Sequence, residues 1–181
     1  MRTLLIVVLL AASAAGGFLL YRLFGGDGGG PTLGTVAPAA DTHRPDFALP
    51  DLTGNVRSIA EWRDVPLIVN FWATWCAPCR REIPLLIALQ DTHAPGTLQV
   101  IGVAIDEVEA VQRFAAETGI DYPVLVGEQA ALDAAEAFGL AFTGLPFTAF
   151  IRADGRVQKV HLGELEAGEL TSLVAEILPA R

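Results

Sequence analysis

Two cysteines carry the clearest chemistry in this sequence. Cys76 and Cys79 are the two cysteines of the chain, with Ala77 and Pro78 between them. They lie where an apolar, strand-like run gives way to a helical pattern. The first turn of a helix has amide N–H groups without helical partners, and its aligned peptide dipoles favour an anion. We therefore expect a stabilised thiolate at Cys76, with Arg80 adding a modest positive field.

The spacing of the two cysteines suits reversible disulfide formation. Cβ atoms three residues apart on a helix lie about 5–6 Å apart, whereas a disulfide needs about 3.5–4.5 Å. A small tightening of the first turn therefore closes the bond. Pro78 is tolerated there because an N–H in the first turn has no helical acceptor. We expect Cys76 to be exposed and to attack a disulfide, and Cys79 to point inward and resolve the mixed disulfide.

Other interpretations of the pair are a structural disulfide, a zinc site and a peroxide-reducing cysteine. A bridge over three residues constrains little of the unfolded chain. A zinc site needs two further ligands, whereas the histidines are scattered at His43, His93 and His161, so no metal is expected. A peroxide-reducing cysteine normally has Pro seven residues earlier and Thr or Ser three earlier. Neither cysteine has these neighbours.

Apolar periodicity predicts the elements that must hold the cysteine pair. Short, nearly continuous apolar runs are typical of strands buried on both faces, and they alternate here with helical patterns. This alternation predicts an α/β fold with a mixed central sheet flanked by helices. In order, the predicted elements are a hairpin over 47–59, a strand over 67–72, a helix over 77–89, a strand over 98–105, a helix over 107–118, a strand over 122–126, a helix over 128–138, a hairpin over 148–162 and a helix around 170–178.

Composition and the N-terminal hydropathy limit the class and the location of the protein. The chain has 181 residues and a formal net charge of −9, so a nucleic-acid binder held by phosphate contacts is excluded. Residues 4–21 form an uncharged apolar stretch long enough to span a membrane, which predicts a membrane anchor over 1–24. The small residues at 12–14 leave a cleaved signal peptide, and hence secretion, as the alternative. Residues 25–43 are predicted to be a flexible linker and 44–181 a single domain.

Two stretches resemble the TlpA/ResA-like membrane-anchored thioredoxin-like proteins. Residues 69–84, VNFWATWCAPCRREIP, are similar to the active-site segment of this family, and residues 144–148, GLPFT, to its cis-proline loop. The resemblance runs over about 45–178. It implies a thioredoxin-like fold with an N-terminal β-hairpin extension over 47–59 and a helix-containing insert over 102–138.

The resemblance also implies roles for residues of the active-site segment. Cys76 and Cys79 would be the redox-active dithiol, and Glu82 matches the buried acid of the family. We expect Glu82 to exchange a proton with Cys79; a glutamate that only stabilises the helix dipole is the alternative. Asn70 stands where cytoplasmic thioredoxins have a buried aspartate. Because an amide cannot relay a proton, an acid in this site would have to be Glu82.

A second group of residues is expected to contact the substrate. Pro146 would be the cis proline that faces the dithiol, with the backbone of Leu145 pairing an extended segment of the substrate. Three residues beside the cysteines are expected to complete this surface: Trp75, Ala77 and Pro78.

The resemblance implies a thiol–disulfide oxidoreductase that acts on partner-protein disulfides outside the cytoplasmic membrane. It implies a reducing role, with apocytochrome c as one candidate substrate and a membrane thiol transporter as electron donor. We expect a monomer without a cofactor. Because spacing does not set the direction of electron flow, an oxidising, disulfide-forming enzyme stays open. A non-catalytic module that binds peptides in the Pro146 groove is a further alternative.

Overall fold

The computed structural model describes residues 35–36, 42–138 and 144–178. The predicted anchor or signal peptide over 1–24 and most of the predicted linker lie outside these residues. Within the described ranges, no helix has the length and the apolar character needed to cross a membrane.

The described residues form the predicted strands and helices in the predicted order, with one additional short strand and a 3₁₀ helix. The strands are β1 (Thr35–Val36), β2 (Ala48–Pro50), β3 (Val56–Ser58), β4 (Leu67–Trp72), β5 (Gln99–Ile105), β6 (Val124–Gly127), β7 (Phe147–Ile151) and β8 (Val157–Leu162). The helices are α1 (Ala77–Asp91), α2 (Val108–Thr118), α3 (Gln129–Glu136) and α4 (Ala167–Ile177), with a 3₁₀ helix at Ile59–Trp62.

Six strands form the central sheet, in the order β1-β8-β7-β4-β5-β6. Strand β5 runs parallel to both β4 and β6, whereas β7 is antiparallel to β4 and to β8. The predicted mixed sheet with an antiparallel edge is therefore confirmed. Strands β2 and β3 pair separately, as the predicted N-terminal hairpin.

The central position of β4 in the sheet explains why its sequence is apolar at nearly every position. Successive side chains of a strand point to opposite faces. Ile68 and Trp72 join the apolar cluster that contains the two cysteines, whereas Val69 and Phe71 join a second cluster. Both faces of the sheet are thus covered. Asn70 has the same parity as Ile68 and Trp72, so the one polar residue of the strand points to the cysteine side.

A turn residue and a cap residue account for two predicted elements, the hairpin over 47–59 and the helix over 107–118. The carboxylate of Asp51 accepts backbone N–H bonds from Thr53 and Asn55 at 2.8 and 3.0 Å, which closes the turn between β2 and β3. Gly119 ends α2 with φ 73°, a left-handed conformation that favours glycine. Turn and cap residues act locally, so their effect is readable from the sequence.

The sheet begins earlier than the predicted domain start at residue 44. Thr35 pairs with His161 and Val36 with Val160, so β1 lies at the edge of the central sheet beside β8. A strand of two residues is too short to show a periodic pattern, and it depends on a partner more than a hundred residues away.

Candidate active site

The two cysteines form a disulfide at the start of α1. Cys76 is the N-cap residue of the helix, and its Cα lies 5.3 Å from that of Cys79. The backbone N–H of Cys79 donates to Sγ of Cys76 at 3.3 Å. The backbone N–H of Arg80 donates to the carbonyl of Cys76 at 3.1 Å, which begins the helical hydrogen bonding. The strand-to-helix junction thus places one sulfur where the first-turn amides converge.

Burial around the disulfide differs in one respect from the prediction. Cys79 is fully buried, as expected, but Cys76 is only 5% exposed rather than open to solvent. Both sulfurs belong to an apolar cluster, and Cys76 Sγ is turned toward the helix by its bond to Cys79. The accessible surface at this place comes from the neighbours, since Trp75 is 69% exposed, Ala77 is exposed and Pro78 is half-buried.

The loop that leads into Cys76 is anchored by an aspartate that sequence analysis missed. The backbone N–H and the hydroxyl of Thr74 both donate to Oδ2 of Asp106, at 2.8 and 2.6 Å. The other oxygen, Oδ1, accepts the backbone N–H of Glu107 at 2.8 Å. Asp106 directly follows β5, the parallel neighbour of β4, and that position was the available signal. Asp106 therefore fixes the approach to the disulfide.

The proline loop has the peptide geometry that the resemblance implied. The Leu145–Pro146 bond is cis. Pro146 is buried, and its carbonyl accepts the N–H of Gly163 at 2.9 Å, which ties the loop to the residue that follows β8. Leu145 is half-buried and packs against both apolar clusters, including the one that contains the cysteines. The loop and the disulfide thus share one cluster.

Glu82 is a fully buried carboxyl group one turn beyond Cys79 on α1. Its Oε1 accepts from Nδ2 of Asn70 at 2.7 Å, and its Oε2 accepts the backbone N–H of Leu165 at 2.8 Å. Burial raises the pKa of Glu82 to about 7, although these two hydrogen bonds favour the ionised form. Such a group can take or release a proton near neutral pH.

Asn70 connects Glu82 to the strand that follows the proline loop. Its Nδ2 also donates to the hydroxyl of Thr148 at 2.9 Å, and the two residues face each other in the register of β4 and β7. Sequence analysis noted Asn70 but missed Thr148 and the Leu165 amide. No local pattern could have found them, because strand register and loop docking depend on the whole sheet. The network holds Glu82 from two strands and the loop before α4.

A cavity lies at the start of β4, the end opposite the cysteines, where the chain enters the strand through Pro66. It has a volume of about 750 Å³, and its lining includes Asp64, His93, Arg152 and Ile177. No cysteine contributes to this lining. In the part of the chain that the structure describes, no three His, Cys, Asp or Glu side chains converge as a metal site requires. The redox-capable groups lie at the cysteine end.

A model of the AhpC/TSA family matches residues 40–160. The chain belongs to the AhpC/TSA family. Among related proteins, the thiol-disulfide oxidoreductase ResA of Geobacillus thermodenitrificans is 29% identical over 145 residues, which cover 80% of this chain and 81% of ResA. The thioredoxin-like protein YneN of Bacillus subtilis is 30% identical over 130 residues, covering 70% of this chain and 73% of YneN.

Two solved structures that superpose on this chain are also described as thiol:disulfide interchange proteins. A thiol:disulfide interchange protein of the thioredoxin family from Chlorobium tepidum TLS superposes with a TM-score of 0.70 at 32% identity, over 79% of this chain and all of that one. A second protein from Chlorobium tepidum, described as a thiol:disulfide interchange protein DsbE, gives a TM-score of 0.68 at 26% identity, over 76% of this chain and 96% of that one.

This AhpC/TSA-family chain therefore has the predicted thioredoxin-like fold, and its resemblance to TlpA/ResA-like proteins is confirmed. It is an enzyme of the thiol–disulfide oxidoreductase class, with the Cys76–Cys79 pair at its active site.

Proposed function

We propose that this enzyme reduces disulfides of partner proteins outside the cytoplasmic membrane. One observation carries the proposal: a disulfide between Cys76 and Cys79 at a helix N-terminus, in the same apolar cluster as a cis-proline loop. A helix N-terminus stabilises the thiolate that attacks and leaves during exchange. The backbone of the proline loop is proposed to pair with an extended segment of the substrate.

The exchange has two steps, with Cys76 as the attacking residue. In the reduced enzyme the Cys76 thiolate attacks one sulfur of the substrate disulfide. A mixed disulfide forms, the substrate S–S bond breaks and the first substrate thiolate leaves. Cys79 then attacks Sγ of Cys76, the intramolecular disulfide forms and the second substrate thiolate leaves. Two electrons pass to the substrate, so an external dithiol must reduce the enzyme again.

Glu82 is proposed to exchange the proton of Cys79. A buried thiol is a poor nucleophile until it loses its proton, and a carboxylate with a pKa of about 7 is suited to accept that proton. Glu82 lies three residues after Cys79, on the same side of α1, and helical side chains lean toward the N-terminus. The hydrogen bonds from Asn70 and Leu165 keep its carboxyl group in this position.

The substrate is proposed to lie across the surface beside Cys76. Exposed Trp75 offers a rigid apolar ring next to the disulfide, an arrangement common at protein interfaces. The backbone of Leu145 is proposed to pair with an extended substrate segment. Three residues complete the contact surface: Ala77, Pro78 and Pro146.

Location and partners are proposed from the sequence and from the ResA likeness. Residues 4–21 are proposed to anchor the chain, so that residues 44–181 face the extracytoplasmic side as a monomer. Apocytochrome c, whose cysteines must be reduced before haem attachment, is the proposed substrate. A membrane thiol transporter is the proposed electron donor.

Trapping experiments with the full chain test the order of attack. With Cys79→Ser, the second step is blocked and covalent complexes with substrate proteins should accumulate. With Cys76→Ser, the attacking sulfur is absent and few complexes should form. Complexes that appear only with Cys76→Ser would show that the two roles are reversed.

Equilibration with glutathione tests the direction of electron flow. A reducing enzyme should remain largely oxidised in a glutathione buffer poised near −200 mV. For a two-electron couple, about 30 mV changes the ratio of oxidised to reduced enzyme tenfold. An enzyme that is mostly reduced in this buffer would instead be an oxidant, and the proposed reducing role would be wrong.

A further inference from the structure

A cleft opens directly beside the attacking cysteine. It has a volume of about 370 Å³ and lies between the first turns of α1 and the last turns of α2. Ala77, the residue after Cys76, forms one edge of it. The rest of the lining consists of Arg80, Arg81, Phe114 and Thr118. A polypeptide whose cysteine is bonded to Cys76 therefore has neighbouring side chains within reach of two arginines.

The guanidinium group of Arg80 is held over an aromatic ring. Its Cζ lies 5.8 Å from the centre of the Phe114 ring, within the range of a cation–π contact. Phe114 in turn packs on the fully buried Trp72, with ring centres 5.3 Å apart. A cation placed this way loses less conformational freedom on binding than a solvated arginine side chain would.

The two arginines differ in what their charge already binds. Arg81 donates from Nε to both carboxylate oxygens of Glu164, at 2.9 and 3.0 Å. Arg80 makes no ion pair with any carboxylate of the described residues, and it is exposed. The hydroxyl of Thr118 donates to the carbonyl of Phe114 at 2.6 Å. The charge available to a ligand in this cleft is therefore that of Arg80.

We propose that Arg80 selects substrates with an aspartate or glutamate close to the reactive cysteine, and that this acidic side chain enters the cleft. The inference rests on the proposed exchange with polypeptide disulfides. A guanidinium matches a carboxylate in shape as well as charge, because two parallel N–H groups meet two oxygens. The net charge of −9 makes the chain as a whole repel acidic partners, so this attraction must be local.

A charge-exchange experiment with the full chain tests the proposal. Three disulfide-linked peptides are used, identical except for Glu, Gln or Lys beside the cysteine, and kcat/KM is measured for each. The wild type should favour the Glu peptide over the Gln peptide by roughly fivefold, the size expected for a favourable surface ion pair. In Arg80→Gln this preference should vanish. In Arg80→Glu it should reverse, with the Lys peptide reduced fastest.

Comparison with the Gln peptide distinguishes two effects of Arg80: selection of an acidic side chain and stabilisation of the Cys76 thiolate. A loss of positive field would slow all three peptides equally, and equal slowing would overturn the proposal. Arg152→Glu is the matched control, since Arg152 is an exposed arginine at the opposite end of β4. It changes the net charge by the same amount and should leave the peptide preference intact. If Arg152→Glu removes the preference as well, the selection comes from net charge and not from the cleft.

A binding measurement that involves no disulfide exchange tests the selectivity of Arg80 separately from the proposed function. Peptides with the cysteine replaced by alanine are titrated calorimetrically into the oxidised full chain. The Glu peptide should bind roughly fivefold more tightly than the Gln peptide, and only while Arg80 is present. Equal affinities would overturn the proposal even if exchange is active. Failure of exchange with every peptide, together with this difference in affinity, would instead contradict the proposed function.

Discussion

The two ends of β4 differ in what surrounds them, although both have space for a ligand. The cavity at the start of the strand, at about 750 Å³, is twice the size of the cleft near its end, at about 370 Å³. Its polar lining includes exposed groups such as Arg152 and Thr97. The other end has a buried carboxyl group, Glu82, and the disulfide. Volume alone therefore does not mark the active site of this protein.

Strand direction explains the difference between the ends. Strands β4 and β5 are parallel, with Trp72 opposite Ala104. Thr74 and Asp106 each lie two residues beyond this pair. They therefore meet at the carboxyl ends of the two strands, where they form hydrogen bonds. The carboxyl ends of parallel strands commonly carry the functional loops of α/β proteins for this reason. The described residues that line the cavity at the opposite end include no cysteine.

The largest expected effect comes from removing Sγ of Cys76, the proposed attacking sulfur. Cys76→Ser should lower the rate of insulin disulfide reduction at least about a thousandfold, because a hydroxyl is not ionised near neutral pH. His93→Ala, in the cavity at the other end, should change the rate less than about twofold. A comparable loss in His93→Ala would show that both ends take part in the reaction.

Glu82 should give the stability of the protein a distinct pH dependence. Its pKa rises from an ordinary value of 4.5 to about 7 on folding, so the folded protein holds a proton that the unfolded chain releases. Stability should therefore fall as pH rises from about 4.5 to 7, by about 3 kcal/mol in total. In Glu82→Gln this part of the pH dependence should disappear, as measured by urea unfolding at pH 4.5 and pH 8.

The control for this experiment is Glu176→Gln, which removes an exposed carboxylate on α4. It should leave the difference between the two pH values as in the wild type. A Glu82→Gln variant that keeps the full difference would show that another group is responsible and that Glu82 is ionised throughout.

The smallest effect compares two threonine hydroxyls, one bonded to a distant loop and the other bonded within its own turn. Thr74→Val removes a hydrogen bond to the carboxylate of Asp106 and should lower the free energy of unfolding by about 1–2 kcal/mol. Thr97 donates to the carbonyl of Ala94 at 2.7 Å in an exposed turn, and Thr97→Val should cost less than about 0.5 kcal/mol. Equal losses in denaturant unfolding would contradict the conclusion that Asp106 fixes the loop before Cys76.

The sequence predicted the features of the fold and the site that depend on near neighbours. The strand over 67–72, the helix after it and the position of Cys76 at their junction all follow from periodicity and composition. The cis bond before Pro146 and the burial of Glu82 were implied by the family resemblance, and the structure has both. The burial of Cys76 was not predicted, because side chains from distant parts of the chain surround it.

The sequence by itself determined the active-site pair: two sulfurs at a spacing that one helical turn can close. It also determined that a carboxyl group follows one turn further on. Tertiary structure decided how those atoms are held. Asn70 meets Thr148, Asp106 meets Thr74 and Leu165 meets Glu82 only after strands and loops far apart in sequence have docked. The physical reason is that periodicity and capping act over a few residues, whereas strand register and burial are set by the packing of the whole domain.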